Sequence, residues 1–409
     1  MLEQINIHPI TFISALSMAL ELTTTGIANH HRRTAIIARY IGRRLGLGSY
    51  EDQILVYSAL LHDIGAAADW YEKHYIIHAT DNDHIFHHAE KGYQILKDSP
   101  QLNHLALPIR HHHDRYLGGN PTGLSGQDIP LASRIIHLAD RIEVLIASGE
   151  HIFLQRERIH DQISLSEHLF DPQLVAIFRE VSQREVFWLD VINLNIESRF
   201  FSDLAFWDKY TFEIDDLIHV ANVFSSVVDS TSHYTAAHSQ NVAKVAREMA
   251  LIRGFSSDEA KQIYLTGLVH DLGKLAVPNE ILNKPGKLTT EEREIIKQHP
   301  YYSQRILERV EGFGRIANWI GTHHETLDGH GYPFQLQERE IELGSRILAV
   351  ADIFSALVED RPYRSGMSPE DALAVLREMA SNRKIDGRLV EDVADNLEYL
   401  AVQVSKYRT

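Results

Sequence analysis

Histidine is unusually frequent, 25 in 409 residues, and its placement is ordered. In the second half of the chain His238, the pair His270-Asp271, His299, the pair His323-His324 and Asp352 follow one another. Imidazole and carboxylate together suit borderline-to-hard divalent ions such as iron or manganese. Adjacent residues on a helix diverge by about 100°. His270 and Asp271 therefore reach one ion only near a helix end, and Gly273 marks a candidate break. With His238 and Asp352, one ion gains four protein ligands. His299, His323 and His324 remain for a second, with Asp271 bridging. Two ions about 3.5–4 Å apart form a clamp for phosphoester hydrolysis, activating water on one side and holding phosphoryl oxygens on the other. A single His-Asp dipeptide is a weak signal; the ordered set is a strong one.

The same order occurs in the first half. His30, His62-Asp63, His88, His112-His113 and Asp140 match those groups at nearly constant intervals. Apolar positions match as well: "TAIIA" (34–38) with "VAKVA" (242–246), and "SRIIHLAD" (133–140) with "SRILAVAD" (345–352). Further on, "FDPQLV" (170–175) is similar to "IDGRLV" (385–390). The chain is an internal duplication. We place a first domain at 1–185, a helical connector at 186–212 and a second domain at 213–409.

These groups must be carried by helices. Ala260, Ile263, Tyr264, Leu265, Leu268 and Val269 recur at helical spacing behind Ser256, Ser257 and Asp258, which are candidate caps. Thr289 followed by Glu292 fits a capping box. Alternation of period two is scarce, so the fold class is all-α. The net charge of −16 argues against a basic surface for long nucleic acid. The absence of cysteine excludes disulfides and thiolate sites and fits the cytoplasm. No apolar run is long enough to span a membrane, and the N-terminus lacks signal-peptide features. Phe12 to Leu20 reads as an amphipathic helix.

The order of the groups, with "HDLGK" (270–274) and "HHETLDGHGYP" (323–333), resembles the HD-GYP phosphodiesterases of the HD phosphohydrolase superfamily. The likeness covers the second half, and the first resembles the same fold in degenerate form. Such tandem chains are similar to HD-GYP enzymes that hydrolyse 3′,3′-cGAMP; the wider family hydrolyses cyclic di-GMP. The resemblance implies two tandem HD-type helical bundle domains and a cyclic-dinucleotide substrate opened to a linear 5′-phosphorylated product. It also implies that His238, His270, Asp271, His299, His323, His324 and Asp352 bind two divalent ions. Lys274 would touch the scissile phosphate beside the bridging Asp271. Gly331, Tyr332 and Pro333 would form a loop against the nucleotide. Arg361 and Arg364 would fork onto phosphate or base edges, which lysine does not copy. Some relatives place Glu four residues before the first histidine; Tyr234 stands there, so two ions are expected and not three.

The first half keeps its seven donors: His30, His62, Asp63, His88, His112, His113 and Asp140. Metal is expected there too. The substrate groups are gone: Ala66 stands opposite Lys274, Asn120 opposite Tyr332, and Gly149 and Ile152 opposite Arg361 and Arg364. Two roles fit, a metal-stabilised regulatory or dimerising domain, or a phosphomonoesterase acting on the 5′-phosphate of the linear product. For the whole chain the competing reading is a cyclic-dinucleotide receptor without turnover. The intact "HDLGK" and full donor set favour catalysis. A homo-oligomer is compatible with everything above.

Overall fold

The computed structural model describes residues 6–23, 26–27, 29–67, 85–193, 200–201, 204, 211–232, 237–360 and 365–404. Helices dominate, and strand among the described residues is confined to two-residue pieces. The chain divides into two compact units. One comprises 8–21 and 27–211; the other comprises 22–26, 212–409 and the residues up to Ile7.

In the first unit α1 is Pro9–Leu20, α2 His30–Leu45, α3 Ser49–Leu61, α4 Ile85–Leu96, α5 Asn103–Arg110, α6 Leu131–Val144, α7 Ile152–Leu165, α8 Pro172–Val181 and α9 Glu185–Ile192. The α1 helix is not amphipathic. Phe12, Ile13, Ala15, Leu16, Ser17, Met18, Ala19 and Leu20 are all buried, the signature of a helix enclosed by protein. Two serines misled the sequence reading; Ser17 is buried because its hydroxyl donates to Leu60 O at 2.6 Å. The helix at the start of the connector, α9, belongs to this unit and buries Phe187, Trp188 and Val191.

In the second unit α10 is Ile214–Asp229, α11 His238–Ile252, α12 Ser257–Val269, α13 Asn279–Leu282, α14 Thr290–Ile296, α15 His299–Leu307, α16 Gly314–Gly321, α17 Leu343–Val358, α18 Pro369–Ser381, α19 Gly387–Asp395 and α20 Leu397–Gln403. A two-residue antiparallel pair sets Asn6 opposite Glu213 and Ile7 opposite Phe212.

Both units use one plan. Helix α2 packs between α3 and α6, as α11 packs between α12 and α17. The central helix thus starts with the first histidine, one neighbour ends at the His-Asp pair, and the other carries the last aspartate. Local sequence fixes some of the starts. Ser256 and Glu259 form a capping box at α12, and Thr289 and Glu292 form one at α14. Pro300 falls at the second position of α15, inside the first turn where proline costs a helix nothing.

Candidate metal centres

Helix α12 stops at Val269, so His270 sits on its C-cap and Asp271 just beyond. That position lets both side chains face inward. His238 Nε2 lies 3.1 Å from Asp352 Oδ1 and 4.0 Å from Asp271 Oδ2. The Asp271 carboxylate has a histidine on each oxygen: His270 Nε2 is 3.2 Å from Oδ2 and His299 Nε2 is 3.3 Å from Oδ1. The His323 and His324 rings stand 4.0 Å apart, and those of His299 and His324 5.1 Å. Donor atoms of His238, His270 and Asp352 fall within 4.8 Å of one another, as do those of His299, His323 and His324. All seven residues singled out in the second half converge, with Asp271 between the two groups.

The hydrogen bonds show what this cluster fits. His270 Nδ1 lies 2.8 Å from Gly267 O, His299 Nδ1 2.8 Å from Ile296 O, and His323 Nδ1 is held by Ile320 O. A carbonyl only accepts, so each Nδ1 carries a proton and each neutral ring keeps its lone pair on Nε2. Burial lowers the His270 pKa, but the charge of Asp271 outweighs it and raises it, so that ring calls for a cation, a proton or a metal ion. Those three Nε2 atoms are buried and make no hydrogen bond. Converging buried lone pairs without a donor are costly, and a cation at their focus removes the cost. Burial pushes His299 down to about 3 and His323 to about 4, so both rings are neutral at physiological pH. His238 differs. Burial lowers its pKa, but hydrogen bonds to Asp352 and Glu359 outweigh that and bring it up to about 10. The carboxylates there demand a positive charge, as a proton or as a metal ion. The donor set suits divalent ions of the iron and manganese type.

Glu359 was not found from the sequence. Its Oε2 lies 3.0 Å from His238 Nδ1, and its Oε1 accepts from Asn241 Nδ2 at 2.8 Å. It orients the first histidine as outer carboxylates orient metal-binding imidazoles.

Lys274 sits on the tight turn Leu272–Ala276 and donates to Asp271 Oδ2. It faces a cavity of about 760 Å³ together with His238, Asp271, His299, His324, Tyr332 and Asp352. Ile281, Leu282, Leu288 and Ile296 give this cavity an apolar wall. The Tyr332 ring lies over His324 at 4.9 Å and 30°. A Cβ on Gly331 would lie 2.4 Å from Glu325 Cα, so the glycine permits the loop to close on its own root. Pro333 follows through a cis peptide bond. A second residue missed from sequence, Glu325, holds this loop. Its buried carboxylate accepts from the N–H groups of Phe334 (2.7 Å), Gln335 (3.1 Å) and Leu336 (3.0 Å). Arg361, Arg364 and Tyr234 lie outside the described residues.

The first unit builds a similar cluster. His30 Nε2 is 3.3 Å from Asp140 Oδ1 and 3.2 Å from His62 Nε2. Asp63 again bridges, with His62 Nε2 3.3 Å from Oδ2 and His88 Nε2 3.2 Å from Oδ1. His112 and His113 join His88 and Asp63 in a group within 4.8 Å. Glu143 serves His30 as Glu359 serves His238, here with Arg33 3.3 Å from its other oxygen. His31 also reaches this cluster, which the sequence reading did not expect. The replaced positions do other work. Ala66 is buried, Gly149 occupies a left-handed turn and Ile152 is buried at the start of α7. Asn120 spends its amide on Arg115 and Leu124 backbone atoms.

The comparisons agree with this geometry. The HD domain family matches the chain twice, over residues 14–169 and 222–389. The chain is 31% identical over 392 residues to the 3′3′-cGAMP-specific phosphodiesterase 1 of Vibrio cholerae, covering 93% of this chain and 90% of that one. It is 36% identical over 177 residues to a cyclic di-GMP phosphodiesterase of Thermotoga maritima, covering 43% of this chain and 47% of that one. A crystal structure of a cyclic GMP-AMP-specific phosphodiesterase from V. cholerae aligns with a TM-score of 0.68 at 26% identity, covering 98% of this chain and 100% of that one. With two family matches and two His/Asp clusters built on one helical plan, the chain belongs to the HD domain family and carries its domain twice.

Proposed function

We propose that the second unit is a metal-dependent phosphodiesterase that opens a cyclic dinucleotide, 3′,3′-cGAMP or cyclic di-GMP, to a linear 5′-phosphorylated dinucleotide. The observation that carries this reading is the cavity of about 760 Å³, which is lined both by the bridged His/Asp cluster with Lys274 and by the apolar side chains of Ile281, Leu282, Leu288 and Ile296. Relatives named for hydrolysis of these two substrates support it.

Two divalent ions, iron or manganese, would be held by His238, His270, Asp271, His299, His323, His324 and Asp352. When bound they supply Lewis acidity toward the phosphoryl group and make water acidic enough to attack. The chain's own groups do the rest. Asp271 offers one oxygen to each side of the cluster and holds Lys274 at the cavity edge. The ammonium group there is positioned to donate to a non-bridging phosphate oxygen and offset its growing charge. Burial and the carboxylates of Asp352 and Asp271 raise the Tyr332 phenol, so it stays protonated and able to donate. The wall of Ile281, Leu282, Leu288 and Ile296 offers apolar surface to a base. Arg361 and Arg364 follow α17 directly and would add the forked contacts.

The first unit would hold metal through His30, His62, Asp63, His88, His112, His113 and Asp140. Without counterparts of Lys274 and Tyr332 it would not grip a cyclic dinucleotide as the second unit does. Among the described residues no helix is long and apolar enough to cross a membrane, and a cysteine-free chain acting on a soluble messenger fits the cytoplasm.

The test is turnover of purified protein on a panel of cyclic dinucleotides, with manganese or ferrous iron and with chelator. Linear product that depends on metal is expected. Tight binding of the cyclic compounds with no product under any metal would make the chain a receptor.

A further inference from the structure

The first cluster contains an imidazole for which the second has no counterpart. His31 follows His30 and stands where the second unit has Ser239. Its Nε2 lies 3.5 Å from Asp63 Oδ2, and its donor groups with those of His62 and Asp63. The same Asp63 oxygen is 3.3 Å from His62 Nε2 and 3.6 Å from His30 Nε2, while His30 Nε2 is 3.3 Å from Asp140 Oδ1. Donors each ~2.1 Å from one first-row ion stand ~3–4.2 Å apart. Each of these separations falls in that range; the donors of His31, His62 and Asp63 lie within 4.8 Å of one another, those of His30, His62 and Asp140 do likewise, and His62 belongs to both groups.

The far side of the ring decides which nitrogen is available. Ser17 Oγ lies 2.6 Å from Leu60 O and 3.3 Å from His31 Nδ1. The hydroxyl has one proton, and the carbonyl can only accept, so that proton goes to Leu60. Ser17 Oγ must then accept from His31 Nδ1–H. The lone pair is left on Nε2, aimed at the Asp63 carboxylate in a buried setting. Lone pair and carboxylate repel unless a cation stands between them.

The helix cap has also been reassigned to leave this ring free. In the second unit Ser239 gives its backbone N–H (3.1 Å) and its hydroxyl (2.7 Å) to Asp229. In the first, Glu21 accepts the His31 backbone N–H at 2.5 Å, and no bond from the His31 side chain to it is seen among the described residues. The side chain is turned to the cluster instead.

We propose that His31 is a fifth protein ligand of the ion held by His30, His62, Asp63 and Asp140. This rests on the reading of the first unit as a metal-binding domain. An octahedral ion there keeps one exchangeable position, where its counterpart between His238, His270, Asp271 and Asp352 keeps two. The first ion is therefore held more tightly and is harder to strip.

The experiment uses the full chain with His270→Ala, Asp271→Ala, His299→Ala and His323→Ala, which removes donors from both groups of the second unit, so that bound metal reports on the first unit. Cobalt(II) is the probe, read by its visible absorption and by competition with a chelator. His31→Ser installs the residue of the second unit and should change the cobalt spectrum and weaken binding ~10-fold or more. Ser17→Ala keeps the imidazole but removes the group that orients it, and should weaken binding by a smaller factor. Apo-protein melting temperatures of the three proteins show that folding is intact; if His31→Ser does not fold, Ser17→Ala decides. Cobalt bound with the same spectrum and affinity in parent and variants overturns the proposal and leaves the metal site standing. No cobalt bound by the parent overturns both.

Discussion

No side chain fits at Gly273. A Cβ there would lie 2.1 Å from His299 O, and its N–H donates to Ser303 Oγ at 2.8 Å. Gly65 meets His88 O in the same way, at 2.0 Å. The turn after the His-Asp pair is thus pressed against the helix that brings the next histidine. Gly273→Ala should push α15 outward, strip most of the bound metal and cost about 2 kcal/mol or more in stability; metal analysis and calorimetry would reveal a variant that keeps its ions, which contradicts this account. The sequence suggested a helix break at this glycine. The reason is closeness, and closeness to a residue far along the chain leaves no local pattern. Asp271 is simpler. With a histidine on each of its oxygens, Asp271→Ala should abolish cyclic-dinucleotide hydrolysis and lower bound metal by ~10–100-fold in affinity or more. Wild-type turnover in that variant would end the bridging assignment. Glu325 acts at one remove, through three N–H groups of the loop that carries Tyr332. Glu325→Ala should raise KM for the cyclic dinucleotide about 10-fold, as charged hydrogen bonds of roughly 1.5–3 kcal/mol each are lost. Metal content should not move; a fall in metal instead of a rise in KM would assign Glu325 to the cluster. The donors themselves were legible because each unit repeats them at nearly fixed intervals. Glu143 and Glu359 were not, because they follow Asp140 and Asp352 at different offsets, about one helical turn apart on the same face.

At the scale of elements, caps and periodicity were readable, and partners were not. The capping boxes at Ser256 and Thr289 occur where the sequence suggested them. The repeated "FDP" and "IDG" segments have a structural explanation that only the fold supplies. Arg134 pairs with Asp171, and Arg346 with Asp386 at 3.0 Å. Each aspartate also caps the helix after it, accepting from Gln173 N at 2.9 Å and from Arg388 N at 3.0 Å. Each arginine donates Nε to a backbone carbonyl, Ile129 O or Ile341 O. The repeated "SRI" and "DxxLV" patterns are two ends of one clamp that ties α6 to α8, and α17 to α19. Arg346→Ala should destabilise by about 1–3 kcal/mol while bound metal stays constant. Loss of metal at unchanged stability would place this arginine in the site's support and not in the scaffold.

For the molecule as a whole, the duplication was plain in the sequence and the chain's path was not. Both units converge buried imidazoles and carboxylates, groups that removal of the proposed ions would leave uncompensated. Chelation should lower the melting temperature by roughly 5–10 °C, since an ion at a hundred times its Kd contributes about 2.7 kcal/mol to a unit of this size. Manganese added back should restore it; a melting curve indifferent to chelator would deny the ions any part in stability. Ile7 and Phe212 belong to the same unit, and a whole unit's worth of chain lies between them. That nesting has a temporal consequence. During synthesis the strand at Asn6–Ile7 emerges first, and its partner arrives only about 200 residues later, a long loop to close. The unit built from 8–21 and 27–211 is complete by then, since domains fold as they appear. A translating ribosome would hold a finished first unit while the second still waits for its closing strand, so a chain begun at residue 213 starts without the strand its predecessor kept in reserve.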